Sequence, residues 1–163
     1  IGSSSHLAGE MLKFLAQIDI THVPYRGTGP ATTDLIAGTV SMALDTLSIL
    51  LPPARTGSLR ALAVTTPRRS ALAPELPALA ETLPGFDAAP FNYISAPAGT
   101  PAPVIARLNG VIVAILGDAA YRARMEALGE EATPSSPEEL AATIAAESAR
   151  WKQVIDAAGI RVE

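Results

Sequence analysis

Three short segments of this 163-residue chain carry side chains and backbone donors suited to holding an anion. In GSSSH, the hydroxyls of Ser3, Ser4 and Ser5 gather where a helix is expected to start, and His6 adds a ring donor in its first turn. In YRGTGPA, Gly27 and Gly29 relax the backbone at a turn that should feed a helix. Thr28 and the N–H groups that follow, Ala31 and Thr32 among them, could point at a carboxylate, while Pro30 has no N–H to give. Tyr25 could close a crevice just ahead of that turn, and Arg26 could pair with the anion. Asp45, at the end of an apolar segment, could accept a ligand ammonium or hydroxyl or order a water. This is recognition chemistry that needs no metal.

Each feature also has a plainer reading. GTG serves a turn that needs glycine for geometry alone, and one serine of GSSSH suffices as an N-cap. His6 suits a cap or a surface position, His22 a structural role in a strand, Arg26 a solvated surface and Trp151 packing on a long helix. Asp45, followed by TLS and apolar residues, also suits a helix cap.

Signatures of catalysis are weak. The sequence holds no GxSxG, HExxH or phosphate-loop GK[ST], and no His or carboxylate pair at metal-ligand spacing. Ser5, His6 and Asp45 do not make a triad, because adjacent residues at a helix start do not face each other. The expectation is a non-enzyme without cofactor or metal, and so without catalytic residues.

The elements that would position these residues alternate. A helix over 6–15, capped by Ser4 or Ser5, should bury Leu7, Met11, Leu12, Phe14 and Leu15. Strands are expected at 20–24, 40–45, 60–66 and 91–96, from β-branched and apolar runs bounded by turn formers. Between the first two, Thr28 can cap a helix with Pro30 at its first position and Gly38 at its end. A short helix over 49–55 should stop at Gly57. The five prolines of 67–90 predict a loop with a helical turn or two, an excursion over one face.

Beyond Pro97 helices dominate. Thr100-Pro101 opens one whose buried side should be Val104, Ile105, Leu108, Val111, Ile112 and Ile115, closed by Gly117. Asp118 caps the next, ended by Gly129 and packed beside its predecessor. Ser136-Pro137-Glu138-Glu139 combines a capping box with a first-position proline. It launches a helix to Ala158 with a stripe of Leu140, Ile144, Trp151, Ile155 and Ala158, stopped by Gly159.

Composition narrows the partners. A hydrophobic share of 48% with 17% charged residues describes a globular chain, and no apolar run approaches the roughly 18 residues of a membrane span. A net charge of −4 with scattered cations argues against a nucleic-acid partner, and direct membrane insertion is not expected. With no cysteine there is no thiol chemistry. The opening at Ile1, without Met or signal peptide and directly at a Gly/Ser turn, predicts that an N-terminal part is missing.

Taken in order, GSSSHLAGE, HVPYRGTGPATTDLIAGTVSMALD, GSLRALAVTT and APAGTP resemble the extracytoplasmic solute receptors of the tripartite tricarboxylate transporter family, over nearly the whole chain. The resemblance implies an α/β type II periplasmic-binding-protein fold whose two lobes close on a small carboxylate. Residues 1–96 would form the ligand-binding second lobe. Residues 97–163 would be a helical segment of the first lobe, whose opening strands are absent. Carried over by position, the contacts fall on the serines of GSSSH, on Gly27, Thr28 and their neighbours, and on Asp45 with Thr46. Arg26 stands where the family commonly has Lys, Phe91 where Trp is usual and Tyr93 where Gly is common.

The function expected is periplasmic binding of a mono-, di- or tricarboxylate for the membrane components of a secondary transporter. Two rivals differ in kind. An effector-sensing domain of a transcription regulator, with the same fold, predicts a helix-turn-helix upstream. A hydrolase-like enzyme predicts loss of activity in Ser5→Ala.

Overall fold

The computed structural model describes residues 2–160, with the side chain of Ala158 excepted. The expected burial of Ala158 and the last three residues of the expected second segment lie outside the described residues. Six α-helices follow in order: α1 (Ser4–Ala16), α2 (Thr28–Ile36), α3 (Leu47–Arg55), α4 (Ala102–Gly117), α5 (Ala119–Ala127) and α6 (Pro137–Ala158). The chain forms two compact units, one comprising the described parts of Ile1–Pro90 and Trp151–Glu163, the other Phe91–Arg150.

In the first unit α1 buries Ala8, Met11 and Leu12, spaced to lie on one face. They join Phe86, Ala88 and Val154 in one cluster, with Leu15, Ile20, Leu44, Leu79, Leu83 and Trp151 packed around it. Phe86, 1% exposed, is the largest side chain sealed there. Phe14, expected on the buried face, is exposed instead, because it lies off the arc that Ala8, Met11 and Leu12 define.

The proline-rich stretch corrects the expected excursion: Ala73, Ala78, Phe86 and Ala88 are among the most buried residues of the unit. Backbone bonds hold it inward, from Val64 N to Pro77 O at 2.9 Å, Leu79 N to Val64 O at 3.0 Å and Ala88 N to Thr65 O at 3.0 Å. A 3₁₀ turn, Leu79–Glu81, is fastened by a bidentate pair in which Arg69 donates to both oxygens of Glu81, at 2.8 and 2.9 Å. Arg69 and the backbone N–H of Ala78 hold the Glu81 carboxyl at about 2, well below its ordinary value.

None of the four expected strands builds a ladder among the described residues. Val64 alone forms a parallel bridge, to Ala78. The other segments make no ladder and lie largely exposed, with Val23, Met42 and Ile94 facing solvent, as does Leu62 in the segment of Val64. An extended run becomes a strand only when a neighbour accepts and donates its ladder bonds, and among the described residues no such neighbour lies beside these.

In the second unit the caps form as expected. The Asp118 carboxylate accepts from Tyr121 N at 2.8 Å to start α5. At α6, Ser136 N donates to Glu139 Oε2 at 2.8 Å and Glu139 N to Ser136 Oγ at 3.1 Å, a reciprocal box with Pro137 in first position. Asn109 Nδ2 donates to Ser135 O at 2.9 Å, tying the middle of α4 to the approach to α6. The expected buried side of α4 is corrected. Val104, Leu108, Val111 and Ile115 stand exposed, and the half-buried positions are Ile105, Asn109, Ile112 and Leu116, because the contacts within the unit fall on that narrower stripe. Among the described residues no single helix is long and apolar enough to cross a membrane; α4 and α5 would reach that length only as a pair bent by 71°.

Candidate functional site

The start of α1 differs by one position from expectation. Ser3, with extended backbone, is the N-cap, its hydroxyl accepting from His6 N at 3.3 Å, and neither Ser4 nor Ser5 caps. The serine whose Oγ reaches the third N–H of the helix is the one just outside it, and here that is Ser3. The first ladder bond runs from Leu7 N to Ser3 O at 3.0 Å, so the N–H groups of Ser4 and Ser5 precede the ladder. The ring of His6 turns back on the same turn, its Nδ1 accepting from Gly2 N at 3.1 Å.

The start of α2 likewise moves forward. Gly27 is the N-cap and Thr28 the first helical residue, where Thr28 had been expected to cap and Pro30 to begin the helix. Gly27 sits at φ 130°, a conformation side chains rarely adopt, which lets the chain enter the helix abruptly. Having no side chain, it leaves the opening donors without a cap, so Thr28 N–H and Gly29 N–H meet solvent at the positive end of the helix dipole. The hydroxyls of Thr32 and Thr33 are committed inward, to Thr28 O at 2.9 Å and Gly29 O at 3.1 Å. Ala31 is half-buried behind them.

Tyr25 does not stand free over this turn. Its hydroxyl donates to Asp34 Oδ2 at 2.7 Å, which fixes the ring against α2 and raises its pKa, chiefly through that hydrogen bond. Arg26 is exposed beside Gly27, next to the uncapped donors. Asp45 Oδ1 accepts from Thr46 N at 2.8 Å, and Thr46 is the N-cap of α3, its hydroxyl 3.2 Å from Ser48 Oγ. Asp45 thus steadies the backbone at the entry to α3 without being its cap.

The two anion-suited turns are linked by a contact that the spacing did not announce. The rings of His6 and His22 stack with centroids 4.2 Å apart and tilted by 31°. This joins the first turn of α1 to the extended segment that leads, five residues later, into Gly27 and α2. His22 had been read as structural, and its separation of 16 positions from His6 carries no periodic signal; only a repeat of the residue type could have drawn attention to it. Among the described residues, no hydrogen bond ties Asp45 or Thr46 to either turn. Among the described residues, one surface recess of about 350 Å³ lies around Leu51, Arg55, Arg60 and Glu75, and another of about 620 Å³ around Ile105, Asn109 and Ser136. None of the eleven residues expected to bind ligand lines either one.

Against known proteins, residues 1–160 match the family model described as tripartite tricarboxylate transporter family receptor. Among solved structures the chain is similar to Rpa4515 of R. palustris with adipate, at 36% identity and a TM-score of 0.88, over 98% of this chain and 54% of that one. It is similar to the periplasmic binding protein BugD at 31% identity and a TM-score of 0.80, over 100% of this chain and 56% of that one. It is also similar to MatC of Rhodopseudomonas palustris with bound malate at 31% identity and a TM-score of 0.74, over 94% of this chain and 54% of that one. The chain spans about half the length of the curated relatives it matches at 36% and 34% identity. Its fold is that of a part of a periplasmic binding protein.

Proposed function

The chain belongs to the tripartite tricarboxylate transporter receptor family, and from that premise we propose that it carries the carboxylate-holding turns of a periplasmic solute receptor. The solute is a small mono-, di- or tricarboxylate, passed unchanged to the membrane components of a tripartite tricarboxylate-type secondary transporter. The observation that carries this reading is the glycine-capped start of α2, whose Thr28 and Gly29 N–H groups have no capping side chain. An anion there gains the helix dipole, two charge-assisted hydrogen bonds and the nearby charge of Arg26. The adipate and malate held by similar proteins support the class of ligand.

In this reading Gly27, Thr28 and Ala31 form one seat, with Tyr25 held back by Asp34 to leave the turn open. Ser3, Ser4, Ser5 and His6 form the second, where Ser4 N–H and Ser5 N–H and the serine hydroxyls supply neutral donors. Two seats bridged through His6 and His22 suit a ligand with a carboxylate at each end. Asp45 and Thr46 would meet a polar group between the ends, as a hydroxyl of the solute. Residues 1–96 would act as the ligand-binding lobe and 97–163 as part of the other lobe.

Isothermal titration of the chain against acetate, malate, adipate and citrate, with adipamide as an uncharged mimic, tests this. At least one acid should bind while the diamide does not. Equal heats from diamide and diacid, or none from any acid, would overturn the reading.

A further inference from the structure

We propose that His6 and His22 form a proton-operated latch on the turn ahead of α1, shut when both rings are neutral and opened when His6 takes up a proton. The latch goes beyond carboxylate binding and does not depend on it.

The argument starts from the acceptor. Nδ1 of His6 accepts from Gly2 N at 3.1 Å, so this nitrogen carries no hydrogen and the ring proton sits on Nε2. A proton arriving at His6 has only Nδ1 to bind. Once there, it turns an acceptor into a donor that faces the Gly2 N–H. Two donors cannot share that position, so the bond breaks and the Gly2 amide is released to water. Because Ser3, the next residue, is the N-cap whose hydroxyl holds His6 N, the released segment is the one that presents the serines.

His22 sets how firmly the latch stays shut. Its ring lies 4.2 Å from that of His6, a separation that suits two neutral rings and opposes two imidazolium ions by their mutual charge. Burial against its surroundings lowers the pKa of His22 first; the charges of His6 and Lys13 push the same way, and Glu10 opposes them. Glu10 and Lys13 form their own ion pair at 3.0 Å on the next turn of α1, so each largely cancels the other's field. The groups that face His22 from both elements therefore hold its ring neutral more firmly than an ordinary imidazole.

Nuclear magnetic resonance of the ¹⁵N-labelled chain from pH 8 to pH 5 tests the latch. At pH 8 His6 should show the Nε2–H tautomer. As pH falls, its Nδ1 should protonate and the Gly2 amide shift should move with the same midpoint, while far-UV circular dichroism stays constant. In His6→Ala the Gly2 amide should become independent of pH across this range, and the His22 midpoint should move up toward the ordinary 6.5. In His22→Ala the Gly2 response should persist at a changed midpoint, separating the latch from its tuning. An Nδ1–H tautomer of His6 at pH 8, a Gly2 amide that ignores His6 ionisation, or an unmoved His22 midpoint in His6→Ala would each overturn it. Loss of carboxylate binding with these responses intact would overturn only the receptor reading.

Discussion

Thr28→Pro removes one N–H and one hydroxyl from the proposed seat while sparing the helix that presents them. Thr28 is the first residue of α2, the position where proline's fixed φ is already correct and its missing N–H breaks no ladder bond. The residue before it, Gly27, sits at ψ 171°, the extended setting a following proline requires. The fold should therefore survive with its melting temperature nearly unchanged. A hydrogen bond to a charged group contributes about 1.5–3 kcal/mol, so loss of the N–H weakens binding by roughly 10- to 100-fold, and loss of the hydroxyl adds to that. With ligand at about 100 times its dissociation constant, the native chain gains about 2.7 kcal/mol, which for a domain of this size is a melting shift of roughly 5–10 °C. A variant weakened about 100-fold gains only ~0.4 kcal/mol at the same concentration, a shift of about 1–2 °C. Thermal melts of both proteins with and without the best acid of the titration panel give the numbers directly. Thr28→Ala, which keeps the N–H, should retain most of the shift. A full shift in Thr28→Pro with its helix content intact would refute the reasoning, since the uncapped donors would then have no part in binding.

Other expectations concern stability. Phe86→Ala empties the most sealed position of the main cluster and should cost about 3–5 kcal/mol, read as a lower urea midpoint for the unit that contains it. The Glu81 carboxyl, held at about 2 against an ordinary 4.5, stabilises the fold at and above 4.5 and loses that contribution as pH falls toward 2. Glu81→Gln should accordingly flatten the dependence of the urea midpoint on pH across that window, and an unchanged slope would show that the Arg69 pair does not anchor the turn.

What could be read from residues alone was local. The cap of α5 by Asp118, the box of Ser136 and Glu139 and the glycine stops at positions 38, 57, 129 and 159 are each completed within a few positions, so their partners are visible together. The starts of α1 and α2 slipped by one or two residues, since Ser3, Ser4 and Ser5 are equally good caps by type and Gly27 competes with Thr28. The strands at 20–24, 40–45 and 91–96 depended on ladder partners that no local pattern specifies. The proline-rich stretch was misjudged because its prolines were read as marks of a surface loop, whereas Val64, Thr65 and Pro77 bond it across the chain. At the site, residue types indicated where donors would collect, but the stacking of His22 on His6 joins distant segments and is decided by packing.

Helix α2 buries no side chain at all, and its firmest side-chain tie is the Tyr25 hydroxyl on Asp34. A nine-residue helix with so little apolar grip has almost nothing opposing a small tilt, while the cluster around Phe86 stays rigid. In the proposed receptor reading, its open end is a jaw on a single pin, and a gripping surface of that sort would accommodate molecules of several lengths with one set of backbone teeth.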